Sequence, residues 1–383
     1  MKKILLVALA AASVLAMMCS CNTDTTQDSA IPQSSAEISQ QSSEISQTST
    51  ESSQEIVSSE PSAENNDSET KIDEILVNGK FTGFAAVVEN GENIYGKSFN
   101  KDGISDEFDS NTLFRIGSDT KQFTAAAIML LQQDGKLSVN DTLEKYFPDC
   151  KNGKNITLHN LLSMHSGLTN YSDYFAKLNL TQNADENKAA ILRFILAEDL
   201  IDEPNGDFKY NNSNYFLLAQ IIENVSGKTY EEYLTENIFK PLGMESTRIY
   251  KDYEKDTATI AQPLYPQGAD DFFNLPNATM GAGDIMSSAN DLAKWLKVFE
   301  GGSILSDESI EAMSTSYSTE NDMYEYGYGW FISKDGIYHG GNLSEFSSFF
   351  FTSPDKKYSI IILSNENSGT LADFGTAIRY ELF

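Results

Sequence analysis

Strand-forming runs occupy both ends of the globular part of this 383-residue chain, and helical patterns fill the distance between them. Near the amino end the runs are 81–89 and 93–99. Asn90-Gly91 between them supplies the two residue types that accept the left-handed backbone of a two-residue hairpin. Near the carboxyl end, 327–333, 347–352 and 358–364 are apolar runs of strand length. Helices are expected at 71–78, at 118–133 with Asp134-Gly135 as a glycine cap, at 215–225, at 289–299 and at 371–382. Short strands cannot bury their faces alone, so the five runs are expected in one antiparallel sheet built from both chain ends. The mainly helical stretch 137–286 then forms an inserted lobe in an α/β architecture, and the cleft between sheet and lobe is the natural place for a site.

The first 70 residues do not belong to that architecture. Lys2 and Lys3 precede an apolar run from Ile4 to Met18, shorter than the roughly 20 residues of a bilayer span and laid out like a secretory signal, so export is expected. The run ends Met18-Cys19-Ser20-Cys21, which resembles a bacterial lipoprotein signal. That resemblance implies Cys21, preceded by the small Ser20, as the lipidated residue and a membrane anchor on the extracytoplasmic face. Residues 22–70 hold 14 serines, 10 acidic residues and no Lys or Arg. Such a segment buries too little apolar surface to offset its ordering entropy, and a self-repelling tether is expected. The folded domain is expected over 71–383.

Charge and rare residues narrow the chemistry further. The chain carries 27 basic and 56 acidic side chains, a net charge of -29, so the phosphate backbone of a nucleic acid would be repelled. Only three cysteines and three histidines are present, without Cys-x-x-Cys or His-Glu-x-x-His spacing, so no metal site and no disulfide framework is expected. Cys150 is expected as a packed thiol. Nothing calls for an organic cofactor.

Ser118-Asp119-Thr120-Lys121 places a hydroxyl and an ammonium one helical turn apart at the positive end of a helix dipole. Three other Ser-x-x-Lys matches exist, beginning at Ser68, Ser98 and Ser353, but only Ser118 opens a strongly apolar helix, with Phe123, Ala126, Ala127, Met129 and Leu130. A lysine desolvated there would lose proton affinity and become a usable base. Tyr210-Asn211-Asn212 is the single Tyr-x-Asn among 18 tyrosines and stands just before a helix. A phenol can shuttle a proton, and an amide can orient a peptide-like carbonyl. His339-Gly340-Gly341 lies in front of the last strands. His165-Ser166-Gly167 has the same spacing but reads as a packed corner.

The string from Leu113 to Ala125, with Gly135-Lys136-Leu137, Ile156-Thr157-Leu158, Ser166-Gly167-Leu168, Tyr210-Asn211-Asn212, Pro241-Leu242-Gly243-Met244 and Gly327-Tyr328-Gly329-Trp330, resembles the serine beta-lactamase and penicillin-binding protein superfamily. The resemblance is greatest to its class C, D-alanyl-D-alanine carboxypeptidase and esterase branch, and it runs from about residue 80 to the carboxyl end. It implies Ser118 as the acylated nucleophile, Lys121 and Tyr210 jointly as proton-transfer partners, and Asn212 as a contact of substrate and lysine. It also implies a third motif at His339, Gly340 and Gly341, and an oxyanion hole from the backbone N–H groups of Ser118 and Asn342. His339 stands where such enzymes usually carry a lysine that holds a substrate carboxylate, so its imidazolium is expected in that role. The function implied is a lipid-anchored serine hydrolase acting on a small-molecule or peptidoglycan-peptide substrate. An esterase on small acyl esters and a non-hydrolysing penicillin or peptidoglycan sensor are the alternatives.

Overall fold

The computed structural model describes residues 63–250, 259–269, 271–300 and 303–382. The expected signal segment, Cys21 and most of the expected tether lie outside the described residues. Eleven strands are described: β1 (Gly83–Glu89), β2 (Glu92–Asn100), β3 (Gly103–Ser105), β4 (Phe114–Arg115), β5 (Arg248–Ile249), β6 (Ile285–Ser287), β7 (Glu325–Tyr326), β8 (Phe331–Ser333), β9 (Gly336–Asn342), β10 (Ser347–Thr352) and β11 (Tyr358–Ser364). Five helices frame the site: α1 (Ala63–Asn78), α2 (Thr120–Gln133), α3 (Asn212–Ser226), α4 (Ala289–Trp295) and α5 (Leu371–Leu382).

The main sheet has eight strands in the order β3-β2-β1-β11-β10-β9-β8-β7, so the two chain ends meet where β1 pairs antiparallel with β11. Asn90 and Gly91 both take positive φ, 50° and 79°, and close the β1–β2 hairpin with Glu89 opposite Glu92. The central strands are buried on both faces, which is why they read as continuous apolar runs rather than alternating ones. On one face Phe84, Ala86, Val88, Phe350, Ile361 and Leu363 join the main core with α2 and the lobe. On the other, Ala85, Val87, Phe349, Phe351, Ile360 and Ile362 pack against Ile72 and Leu76 of α1 and Phe374 and Ile378 of α5.

The structure departs from the sequence expectations at several elements. Residues 63–70, expected as tether, form the first turns of α1; from Lys71 that helix has an apolar stripe to bury, and the helix extends backward from it. The run 327–333 is not one strand: Gly327–Trp330 is a turn between β7 and β8, with Gly329 at φ 80°. Its aromatics are core side chains rather than strand signal, since Tyr328, Trp330 and Phe331 are all buried. The expected helix from Ser118 begins as a 3-10 turn, Gly117–Asp119, and becomes α-helical at Thr120. A small second sheet, β4-β6-β5, was not apparent in the sequence because its strands are two or three residues long.

Candidate active site

Three backbone features converge on Ser118. The first is the 3-10 turn itself, preceded by Ile116, whose N–H bonds Ile285 O at 3.0 Å and ties the turn to β6. The second is the start of α3, capped by Asn211, whose side chain accepts from Ser213 N at 2.8 Å and donates to Leu168 O at 2.6 Å. The third is the end of β9. There β8 covers only Gly336, Ile337 and Tyr338, so residues 339–342 pair with β10 on one side and run beside the Ser118 turn on the other. Two glycines permit that approach. A Cβ on Gly341 would lie 2.0 Å from Ile116 O, and one on Gly117, whose φ is 49°, would lie 3.0 Å from Asn342 N.

Lys121 has no exposed surface. Its Nζ lies 3.0 Å from Ser118 Oγ, 2.9 Å from Asn212 Oδ1 and 2.8 Å from Ala282 O, with the rings of Tyr210 and Tyr215 at 4.7 and 5.7 Å. Burial drives the lysine well below its ordinary pKa, and the nearby Asp119 and Asp284 offset only part of that. The three partners fit a neutral amine. As an ammonium the lysine donates to all three; in the neutral form that burial favours, two N–H bonds go to the oxygens that can only accept, Asn212 Oδ1 and Ala282 O, and the lone pair is left for the Ser118 hydroxyl proton.

Neither carboxylate near the lysine was singled out in the sequence. Asp119 is buried, and burial pushes its pKa up to about 7 against hydrogen bonds from Ser348 and Gln122. Ser348 Oγ lies 2.6 Å from Asp119 Oδ2 and 2.7 Å from Ile116 O. One hydroxyl proton cannot serve both contacts at once, and the protonated form of Asp119 completes the pair. Asp284 is likewise pushed up to about 7 by burial, with Gly281 N donating to its Oδ1 at 3.1 Å. A carboxyl inside Ser-Asp-Thr-Lys reads as a helix-start residue, and only β10 passing over the turn makes it a buried one.

Tyr210 places its phenol at the same cluster. The hydroxyl is buried and has no hydrogen-bond partner, while burial raises its pKa and the facing Ser118 lowers it in part. Ser118, Lys121, Tyr210 and Asn212 are thus brought together, with Gly341 and Asn342 on the strand beside them. His339 is placed otherwise than expected. It has no exposed surface and is enclosed by Tyr210, Tyr326 and Phe331, with ring centroids 6.0, 6.0 and 5.1 Å away. Burial, with Lys121 nearby, pushes its pKa down to about 3. The expectation of an imidazolium holding a substrate carboxylate is therefore corrected: His339 is a neutral ring packed behind Tyr210. His165 is a buried corner residue, with Nε2 3.3 Å from Asp322 Oδ2. No group of side chains suited to a metal ion is found among the described residues.

A sequence model of the family described as Beta-lactamase matches residues 69–381. Protein flp of Staphylococcus aureus (strain MW2) is 32% identical over 328 residues, covering 79% of this chain and 64% of that protein, so the chain spans under two thirds of that relative's length. Among solved structures, the octameric penicillin-binding protein homologue from Pyrococcus abyssi superposes with a TM-score of 0.68 at 29% identity, over 83% of this chain and 76% of that one. The D-amino acid amidase from Ochrobactrum anthropi SV3, in complex with D-phenylalanine, gives 0.67 at 23% identity over 84% and 98%, a likeness of fold. With a matching region that takes in the sheet, the lobe and every residue of the cluster at Ser118, this chain belongs to the Beta-lactamase family and has the beta-lactamase/transpeptidase-like fold.

Proposed function

We propose that the protein cleaves an amide or ester through an acyl-enzyme on Ser118. The observation that carries this reading is the fully buried Lys121 Nζ 3.0 Å from Ser118 Oγ, held by the acceptor-only Asn212 Oδ1 and Ala282 O, so that, in the neutral form that burial favours, its lone pair faces Ser118. Ser118 Oγ attacks the carbonyl carbon and its proton passes to Lys121 Nζ. The developing oxyanion is met by the N–H of Ser118 and the edge of β9 at Asn342. When the intermediate collapses, the bond to the leaving nitrogen or oxygen breaks, and that atom takes the proton from Lys121, with the phenol of Tyr210 placed to relay it. Water then adds to the Ser118 ester by the same steps in reverse, and the acid is released. Asn212 holds the lysine and is placed to orient a substrate carbonyl.

Cell-wall peptides ending in D-alanine are the substrate expected from the family resemblance. The experiment is intact-mass analysis after incubation with a fluorescent penicillin and with a nitrophenyl ester, in the wild type and Ser118→Ala. The reading expects an adduct that forms and decays in the wild type and none in the variant. A stable adduct with no turnover would favour a sensor, and labelling that survives in Ser118→Ala would remove the nucleophile.

We also propose that the protein is exported and held to the membrane by lipid on Cys21, supported by the charged and apolar leader that ends at Ser20-Cys21. Bacterial lipoprotein anchors carry several acyl chains, enough for firm attachment where a single chain is marginal. Equal membrane partition of the full-length protein and Cys21→Ser would reject this.

A further inference from the structure

A chain of buried side chains ties the Ser118 turn to the main sheet. Trp295, at the end of α4, donates through Nε1 to Gln122 Oε1 at 2.9 Å, and Gln122 Nε2 donates to Asp119 Oδ1 at 3.0 Å. Asp119 Oδ2 then meets Ser348 Oγ of β10 at 2.6 Å, and that same hydroxyl lies 2.7 Å from Ile116 O. Trp295, Gln122, Asp119 and Ser348 are each no more than 2% exposed, so water does not compete for these bonds.

One hydroxyl thus grips the turn on both sides of Ser118, because Ile116 precedes the 3-10 turn and Asp119 closes it. In the protonated form that burial favours, Asp119 donates to Ser348 Oγ and the Ser348 proton goes to Ile116 O. An ionised Asp119 would take that proton for itself and leave Ile116 O with the N–H of Asp119, at 3.2 Å. β9 runs beside this contact: Ser348 pairs with Gly341, and Ser347 with Asn342. The fit has no slack, since a Cβ on Gly341 would lie 2.0 Å from Ile116 O and 2.4 Å from Ser348 Oγ. The spacing between Ser118 N–H and the Asn342 edge of β9 therefore depends on where Ser348 holds the turn.

We propose that Asp119 and Ser348 are positioning residues for acylation, a buried clasp that keeps Ser118 N–H and the β9 edge at the spacing an oxyanion requires. This rests on the acyl-enzyme reading above. Each side chain acts through the backbone of the turn rather than on the substrate. Asp119 serves as a neutral donor, so an amide can replace it: Asn Nδ2 donates to Ser348 while Oδ1 still accepts from Gln122.

The test is stopped-flow labelling of the full chain with a fluorescent penicillin, which separates the acylation rate constant from the affinity of the first complex. Ser348→Ala and Asp119→Ala should each slow acylation by about 10- to 100-fold with little change in affinity, as expected for a misplacement of up to about 1 Å at the reacting centre. The double variant should be no slower than the worse single one, since both break one unit. Asp119→Asn should keep at least about a third of the wild-type rate, because it preserves the donor. Ser348→Ala acylating at the wild-type rate, or Asp119→Asn as slow as Asp119→Ala, would overturn the clasp. Should an alanine variant fail to fold, Ser348→Cys, close in volume and a poor donor, replaces it with the same expected loss. If the penicillin leaves the wild type unlabelled, the rate of Ser118 labelling by a fluorophosphonate is read instead, with the same order of variants. Labelling that persists in Ser118→Ala, or a wild type that neither reagent labels, would sink the acyl-enzyme reading and the clasp with it. Ser118-dependent labelling indifferent to residues 119 and 348 would remove the clasp alone.

Discussion

A lysine with no exposed surface is costly to charge, and one whose two best acceptors are an amide oxygen and a peptide carbonyl gains no counter-charge from direct contact. That places Lys121 on the neutral side of its titration at a lower pH than any surface lysine, where it can take a proton from Ser118. Lys121→Ala should therefore slow acylation by about 10²- to 10⁴-fold, the usual contribution of a positioned base, while changing ligand affinity far less. Stopped-flow labelling with a fluorescent penicillin separates the two, and an unchanged acylation rate would make Lys121 a packing residue. His339 gives a second, thermodynamic signature. Its folded pKa of about 3 lies below the reference value of 6.5, so unfolding takes up a proton between those limits. The stability it contributes is full above pH 6.5 and is lost as pH falls toward 3, at no more than about 1.4 kcal/mol per pH unit. His339→Gln should lose less stability than the wild type between pH 7 and 4.5 in urea titrations, and identical losses would contradict a neutral buried ring. Carboxylate binding should show no pH dependence between 5 and 9 that depends on residue 339.

At the level of elements, β9 and the Ser118 turn sit at a separation that only glycine allows. Gly341→Ala would bring a methyl group to 2.0 Å from Ile116 O, and the strand or the turn must move. On the proposed acyl-enzyme reading Ser118 N–H and the β9 edge face the same oxyanion, so a shift of about 1 Å can cost on the order of 10²-fold in acylation. The domain should still fold, since the β9–β10 pairing through Tyr338 and Ile337 is untouched, and circular dichroism with labelling kinetics checks both halves of that statement. The elements that could be read from the sequence are those whose pattern is local: the Asn90-Gly91 hairpin, α2 with its Gly135 cap at φ 67°, and the doubly buried β10 and β11. The Ser-x-x-Lys and Tyr-x-Asn motifs were readable for the same reason, because each lies within one turn of a helix start. What could not be read depends on contacts across more than 150 residues. Ala282 O reaches Lys121 over 161 positions, and Ser348 reaches Asp119 over 229. The β9 strand was missed as an element because Gly340-Gly341 lacks the side chains that signal a strand, and the inward turn of His339 follows from β9 entering the sheet. Sequence spacing marks which groups are present, and burial decides which of them carry charge.

For the whole molecule, the boundary of the folded unit is set by what covers the outer face of the sheet. Ile72 and Leu76 of α1 are buried against that face beside Phe81, Phe99 and Phe374, and Lys97 of β2 reaches Asp73 at 2.7 Å and Glu69 at 3.6 Å. A chain starting at residue 63 keeps all of these contacts. It should melt cooperatively as a domain and keep the acylation rate of the longer protein, because it retains every described residue of the cluster at Ser118. A chain starting at residue 79 loses the burial of two large aliphatic side chains, roughly 3–6 kcal/mol in gross transfer free energy, and uncovers the aromatic cluster beneath them. For a domain of about 300 residues, whose unfolding entropy is roughly 0.6 kcal/mol/K, that corresponds to a fall of about 5–9 °C in Tm, with self-association through the bared apolar face. Should the shorter chain aggregate outright, Leu76→Ala in the longer one asks the same question at a cost of about 2–4 kcal/mol without removing any backbone. Equal Tm for the chains starting at 63 and at 79, or for Leu76→Ala and the wild type, would mean that α1 rests on the sheet without stabilising it. The terminal helices would then be a cover for the outer face, and the stability of the site would rest on the lobe side of the sheet alone.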